Sequence, residues 1–152
     1  MVDNIAVEAS IQEKLTRLGI FQTVEPMQGN LEEIGALAIA LPAAYTIYAG
    51  AKNITSSTGT HAVLSMATEE FQVYVLCENL RGRGDASQDV RSVLLTVRQS
   101  LHGMLIEDLS SGYRGITLTW QEENFLAFVR PGVCAYGQTY HYTLPFVVEK
   151  RR

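Results

Sequence analysis

Several residue types that build recognisable sites are scarce in this sequence of 152 residues. It has two cysteines, Cys77 and Cys134, too few for a disulfide framework and too far apart for C-x-x-C metal spacing. We expect both to be small buried side chains in strands, in a reducing compartment. The three histidines, His61, His102 and His141, are scattered, and none has a second ligand at metal spacing. The sequence therefore predicts no metal site.

Long apolar runs and an excess of positive charge are also missing. The longest apolar run, residues 34–48, is interrupted by Pro42, and a helix that spans a bilayer needs about 20 apolar residues. The formal net charge is -4. Proteins that bind nucleic acids or membrane surfaces need an excess of cations, so we expect neither partner. With 47% hydrophobic residues, the composition is typical of a globular protein, and we expect one soluble domain over residues 1–152, whose α+β class follows from its predicted helices and strands.

Periodic apolar residues predict two main helices. The first covers residues 4–18 and ends at Gly19, and its apolar residues share one face: Val7, Ile11, Leu15 and Leu18. The second begins after Asp85, a predicted N-cap with Gln88 three residues on, and ends at Gly103. Its stripe has the same helical period: Val90, Val93, Leu94, Val97 and Leu101. Asn30 is predicted to cap a short third helix that runs to about residue 37.

Alternating or β-branched segments predict strands between the helices and over the last third. These segments are residues 20–25, 43–49, 70–78, 116–121, 125–130 and 138–149. Residues 50–60 are rich in Gly, Ser, Thr, Ala and Asn and predict a mobile loop or hairpin tip, whereas residues 122–124 predict a hairpin turn. Pro26 is expected to end the first strand or to place it at an edge, and Pro145 favours an edge position or a bulge. We expect an α+β fold, an antiparallel or mixed sheet with two main helices packed on one face.

The turn before the second main helix is open to three interpretations. It reads Arg81, Gly82, Arg83, Gly84 and Asp85. The N-terminus of a helix that follows a strand attracts anions. The dinucleotide-binding fingerprint G-x-G-x-x-G would, however, need a third glycine at the position of Ser87. The turn can instead be purely structural, with glycines that permit unusual backbone angles. Its arginines can also pair with carboxylates of a neighbouring subunit. On that interpretation Arg81, Gly82, Arg83 and Asp85 are subunit-interface residues.

The sequence contains no recognisable catalytic constellation. The adjacent carboxylates Glu32-Glu33, Glu69-Glu70 and Glu122-Glu123 face apart when they lie in a strand, which makes them poor acid–base pairs. Ser110, Ser111 and Gly112 predict a loop and not the G-x-S-x-G nucleophile elbow, because Asp108 stands where the first glycine would be. We therefore expect no catalytic residue, no cofactor and no enzymatic activity, with a small anion- or nucleotide-binding enzyme built on the 81–85 turn as the alternative.

The strand, turn and helix between residues 71 and 103 carry a family resemblance. The strand and turn read VLCENLRGRGD (residues 75–85), and the helix ends in Leu101, His102 and Gly103. This segment resembles the small tail-terminator or tail-completion proteins of Mu-like contractile-tailed bacteriophages. The opening helix, the Gly/Ser/Thr-rich middle segment and the closing strands are laid out similarly.

The resemblance implies a structural protein of the virion tail, assembled in the cytoplasm of the host bacterium. It implies a ring-forming homo-oligomer, typically a hexamer, that caps the tail tube and meets the head-tail connector. Tail tube and sheath proteins are the implied neighbours, and DNA passes through the ring without specific binding, which a net negative charge suits. Another neck or connector protein of the same virion is the nearest alternative.

Overall fold

The computed structural model describes residues 4–37, 39–78, 84–107 and 115–150. Over these ranges it contains three helices: α1 (Asn4–Arg17), α2 (Leu31–Ala36) and α3 (Gly84–Leu101). The strands are β1 (Thr23–Pro26), β2 (Ala43–Thr58), β3 (Ala62–Glu78), β4 (Leu105–Ile106), β5 (Ile116–Thr117), β6 (Thr119–Arg130) and β7 (Val133–Glu149). Among the described helices, none is long and apolar enough to cross a membrane.

Five strands form one mixed sheet in the order β1-β2-β3-β7-β6. Strand β1 runs parallel to β2, and the other neighbours are antiparallel. Strands β4 and β5 form a separate two-stranded sheet. The expected α+β class with a mixed sheet is confirmed. Pro26 is the last residue of the edge strand β1, and Pro145 lies beyond His141, where the pairing of β7 with β6 stops. Both prolines are therefore at edges, as predicted.

The two main helices pack on one face of the sheet, as expected. From α1 this core takes Val7, Ile11 and Leu15, all fully buried; from α3 it takes Val90, Leu94, Val97 and Leu101. Full burial of one aliphatic side chain stabilises the fold by about 1.5–3 kcal/mol, so these stripes fix both helices on the sheet. Thr46 of β2 is also buried here, bonded to Gln12 and Glu8 of α1 at 2.8 Å each.

The short helix α2 covers the opposite face. Asn30 caps it as predicted, because its Oδ1 accepts a hydrogen bond from the backbone N–H of Glu33 at 2.9 Å. Ile34 packs with Tyr45, Leu76 and their neighbours in a second, smaller core. Gly35 of α2 touches the backbone of Val129 on β6 so closely that a Cβ would lie 2.3 Å from the Val129 carbonyl oxygen.

The prediction of a loop over residues 50–60 is wrong. Strand β2 continues to Thr58, and the chain reverses only at residues 59–61 before β3 pairs back along its whole length. The side chains of residues 51–58 are exposed, as expected for a segment with little to bury. Backbone hydrogen bonds to β3 and the β-branched residues stabilise this part of β2. Its exposed side chains give no apolar alternation by which the sequence could reveal the strand.

The prediction of a turn at residues 122–124 is also wrong. These residues lie within β6, and the chain reverses at Pro131 and Gly132 instead, where Gly132 has φ 78°. A proline followed by a glycine with positive φ is the pattern of a type II turn. Strand β6 carries three register shifts against β7, so its side chains do not alternate regularly. The three polar residues Glu122, Glu123 and Asn124 resemble a turn in the sequence because of their composition.

Candidate assembly surfaces

The predicted interface turn lies next to the start of α3. Arg81, Gly82 and Arg83 lie outside the described residues. Helix α3 begins at Gly84, so Asp85 lies within the helix and the prediction that it is the N-cap is wrong. The assignment of Arg81, Gly82, Arg83 and Asp85 to a subunit interface stays a prediction.

Strands β2, β3 and β7 extend past the helical layers as a three-stranded arm. We define the arm as residues 52–58, 62–68 and 143–149, which pair with one another across the strands. At about 3.3 Å per residue, seven residues span about 23 Å. Among arm residues whose burial the structure describes, none is buried. A projecting sheet with so little buried area is typical of a segment that acquires its full contacts from a partner.

Polar side chains line the arm. Asn53 donates to Ser56 at 2.8 Å, and the hydroxyls of Ser56 and Ser65 lie 3.1 Å apart across β2 and β3. Thr68 and Thr143 form a similar hydroxyl pair at 3.2 Å across β3 and β7. The two hydroxyl pairs cross between neighbouring strands and help to hold the register of the arm.

Glu69 lies at the base of the arm between two tyrosines. Its Oε1 accepts a hydrogen bond from the Tyr48 hydroxyl at 3.2 Å, and its Oε2 accepts one from Tyr142. Burial, and then the Glu69 carboxylate, raise the pKa of Tyr48. The rings of Tyr48 and Tyr142 both lie against Phe71, with centroids 5.3 and 6.1 Å from it. This aromatic group ties the arm to the core.

A second exposed surface lies on the outer strand β6. Phe125 is 50% exposed and Phe128 45% exposed, and their ring centroids lie 5.3 Å apart. The ring of Phe125 also meets Tyr136 of β7 edge to face at 5.5 Å. Leu126 lies on the other side of the strand, over Gly137. We call Phe125, Leu126, Phe128 and Tyr136 the β6 patch. Large aromatic side chains exposed together mark interaction sites.

Helix α3 holds the first half of β6 in place. The guanidinium carbon of Arg98 lies 4.7 Å from the ring centroid of Trp120, a cation–π contact. The backbone N–H of Trp120 donates to Nδ1 of His102 at 3.0 Å. His102 therefore anchors the start of the outer strand. The β6 patch is thus presented by a strand whose position is fixed.

Two long strand edges lie at opposite sides of the sheet. Strand β2 pairs with β1 only from Ala43 to Thr46, so residues 47–58 have no outer neighbour among the described strands. Strand β6 pairs with β7 on one side, and no strand in the described ranges lies on its other side. Such edges present backbone donors and acceptors that can pair with another chain.

One cavity on the described part of the chain contains a buried thiol. It has a volume of about 230 Å³ and is lined by Leu41, Pro42, Cys77, Glu78, Val90 and Val93. Burial raises the pKa of the Cys77 thiol to about 12, so the thiol is protonated at neutral pH and is a poor nucleophile. In the described ranges, no group of three or more His, Cys, Asp or Glu side chains is arranged to hold a metal ion.

Neither the arm nor the β6 patch was predicted from the sequence. Much of the β2 part of the arm lies where the sequence predicts a loop, and Phe125 directly follows the predicted turn at residues 122–124. Two signals were available in the sequence. Ile54, Thr55 and Thr58 are β-branched residues that favour strands, and Pro131-Gly132 marks the true turn.

Comparison with known proteins identifies the family. The sequence matches the family described as phage tail terminator protein over residues 1–121. Curated protein sequences give no match. Among solved structures, one similar chain comes from the "Virion of native gene transfer agent (GTA) particle", with 11% sequence identity and a TM-score of 0.49, and 94% of each chain is covered. The family match includes α1 to β5 and the segment at residues 81–85, and it covers most of the sequence. The chain therefore belongs to the phage tail terminator protein family.

Proposed function

We propose that this chain is the ring-forming subunit that closes the end of a phage tail. The proposal rests on one observation together with the family: the chain presents two different surfaces, the free edge of β2 with its arm and the β6 patch, at opposite edges of one sheet. A contact between two different surfaces is head-to-tail, and it produces a closed ring when the rotation between neighbours closes. A single kind of subunit can thus form the cap.

The proposal includes the partners and the place of action. The ring is a hexamer on the tube of a contractile tail, next to the tube and sheath proteins and facing the head-tail connector. It acts in the virion tail after assembly in the cytoplasm of the host bacterium. DNA passes through without specific binding, which a net charge of -4 favours because it repels phosphates. The protein acts by contact and not as an enzyme.

We further propose that residues 1–152 work as one domain. The two cores lie on opposite faces of the same sheet and share its strands: Ala44 of β2 and Val75 of β3 belong to the larger core, and Tyr45 and Leu76 to the smaller. Neighbouring residues of one strand thus stabilise both cores, and neither core can unfold without disturbing the other.

Light scattering after size-exclusion chromatography tests the ring. The full chain is measured alone and with purified tail tubes of the phage that encodes it, and the particles are viewed by electron microscopy. We expect rings at tube ends. A chain that stays monomeric and leaves tube ends uncovered would disprove this function. Rings found at the portal and not on the tube would favour another connector protein.

A further inference from the structure

We propose that the β2 edge of one copy, residues 47–58, docks along the outer edge of β6 in a second copy and packs on its β6 patch. This inference rests on the proposed ring and goes further, because it assigns the two surfaces that meet. The occupant of the β6 patch is a strand of a second copy of this chain.

The two edges cannot satisfy each other within one copy. Strands β3 and β7 lie between β2 and β6 in the sheet, so the two free edges face outward in opposite directions. The free stretch of β2, residues 47–58, has 12 residues, and β6 also has 12, of which the last two contact α2 or Leu37 behind it. Adding a strand to an exposed sheet edge is a common mode of recognition, in which backbone hydrogen bonds give affinity and side chains give specificity.

Apolar side chains on the two edges complement each other. Ile54 on the free edge of β2 is 56% exposed, and it is the large aliphatic residue nearest the middle of the arm strand. Phe125 and Leu126 are exposed near the middle of β6, on its two faces. Contact between a β-branched side chain and an aromatic ring is among the favourable pairs across neighbouring strands. The pairing would remove these side chains from water together.

Charges on the two edges are of opposite sign. Residues 47–58 contain one charged residue, Lys52, which is exposed. Strand β6 carries Glu122 and Glu123 and no base before Arg130, which donates to the carbonyl oxygen of Leu37 at 3.0 Å. Glu123 accepts a hydrogen bond from Gln138 at 2.7 Å, whereas Glu122 is exposed. Glu122 is therefore the acid that Lys52 of a neighbour would meet.

Register shifts limit how far such pairing can spread. Strand β2 has shifts between Tyr48 and Gly50 and between Asn53 and Thr55, and β6 has three of its own. Bulges interrupt a ladder and twist the edge, which opposes indefinite sheet growth. The backbone pairing that we infer is therefore limited in length, and side-chain contacts contribute much of its specificity. Such a limited contact suits a closed ring and not an open, growing sheet.

Photo-cross-linking at position 125 tests the contact directly. Phe125 is replaced by p-benzoylphenylalanine in the full chain, and equal amounts of ¹⁴N- and ¹⁵N-labelled protein are mixed before assembly on tail tubes. We expect mixed-isotope cross-linked peptides that contain residues from 47–58. The same probe at Leu105, which is also exposed but lies on β4, is the control and should not label that segment. Mixed-isotope peptides from another part of the chain would overturn the inference.

Charge exchange gives an independent measurement. Lys52→Glu and Glu122→Lys should each weaken association several-fold, and the double variant should recover most of it, because the pair is restored with reversed sign. Circular dichroism of each variant controls for folding. Rings that form normally while neither single variant weakens them would overturn this inference and leave the proposed function intact. If the unmodified chain never associates, the proposed function fails as well.

Discussion

Gln138 on β7 donates a hydrogen bond from its Nε2 to the carbonyl oxygen of Leu94 on α3, at 2.9 Å. The Gln138 side chain is fully buried, and the same Nε2 also donates to Glu123 on β6 at 2.7 Å. Its Oε1 accepts a hydrogen bond from the Tyr140 hydroxyl at 2.7 Å. One amide thus joins α3, β7 and the outer strand β6 that carries the β6 patch.

Gln138→Leu should lower the free energy of unfolding by about 2–3 kcal/mol. The substitution leaves a buried carbonyl and a tyrosine hydroxyl without this partner, and an unsatisfied buried polar group costs about 1–3 kcal/mol. Urea denaturation followed by circular dichroism measures the change. Gln99→Leu, at an exposed position of α3, is the matched control and should change stability by less than about 0.5 kcal/mol. Equal effects of the two substitutions would contradict the role of Gln138.

Gly35→Ala should destabilise the protein even though alanine favours helices. The added Cβ would lie 2.3 Å from the carbonyl oxygen of Val129, so α2 must move away from β6. Overpacking of this kind costs about 1–3 kcal/mol, more than the roughly 1 kcal/mol that alanine gains over glycine in a helix. Gly59→Ala is the control, because its Cβ would meet only the Ala62 oxygen at 3.4 Å. Thermal unfolding compares the two, and a higher Tm for Gly35→Ala would refute the close contact.

Stability should fall in alkaline solution partly because of Cys77. Burial, and then the neighbouring Cys134, raise the pKa of its thiol from 9.0 to about 12. The unfolded chain releases this proton near pH 9, whereas the folded chain keeps it, so the stabilisation is complete below pH 9 and is lost as the pH rises towards 12. The slope that this one group contributes is up to about 1.4 kcal/mol per pH unit.

Cys77→Ala should remove that part of the alkaline slope. Urea titrations between pH 9.5 and 11, with a reducing agent present, measure it. Val75→Ala, on the same strand and face, also truncates a buried side chain but should keep the slope. If both variants lose stability with pH exactly as the unmodified chain does, the buried thiol does not contribute.

Arg81→Ala combined with Arg83→Ala tests the predicted interface turn. If these arginines pair with a neighbour's carboxylates, the double variant should associate more weakly, with the loss largest at low salt where ion pairs are least screened. Arg17→Ala, an exposed position on α1, is the control. Association unchanged at every salt concentration would remove the turn from the interface.

A ligand screen separates assembly from nucleotide chemistry. A ligand that binds only the folded chain must raise its Tm, so thermal shifts with nucleotides and phosphorylated metabolites report any anion site at residues 81–85. We expect no shift. A clear shift that disappears in Arg83→Ala would instead support the small anion-binding enzyme considered from the sequence.

Helices were predictable here because their signals are local. Val7, Ile11 and Leu15 recur at helical spacing, and the Asn30 cap lies three residues from the N–H that it accepts. The strands of the arm escaped prediction because polar residues such as the exposed Ser56 and the half-buried Ser65 bond across the strands, which leaves no apolar alternation in the sequence. Cross-strand register is a property of two distant segments, so a single segment cannot encode it.

The candidate surfaces were harder to predict for a related reason. Phe125 and Tyr136 meet only because β6 and β7 pair in one particular register, with Pro131-Gly132 between them. A phenylalanine in a strand ordinarily predicts a core position, and only the sheet order makes β6 the outermost strand. The family resemblance, in contrast, was visible in the segment at residues 71–103 because it depends on residue identity and order alone.

The arm also makes assembly measurable by isotope exchange. Its strands have little buried surface to oppose local opening, so their amide hydrogens should exchange with deuterium much faster in the free chain than that of Val73, which is fully buried in the core. Once a neighbour covers residues 47–58, those amides should become protected while Val73 stays unchanged. A peptide from residues 47–58 would then take up less deuterium as subunits join rings. Its mass over time would report the fraction of subunits that have assembled.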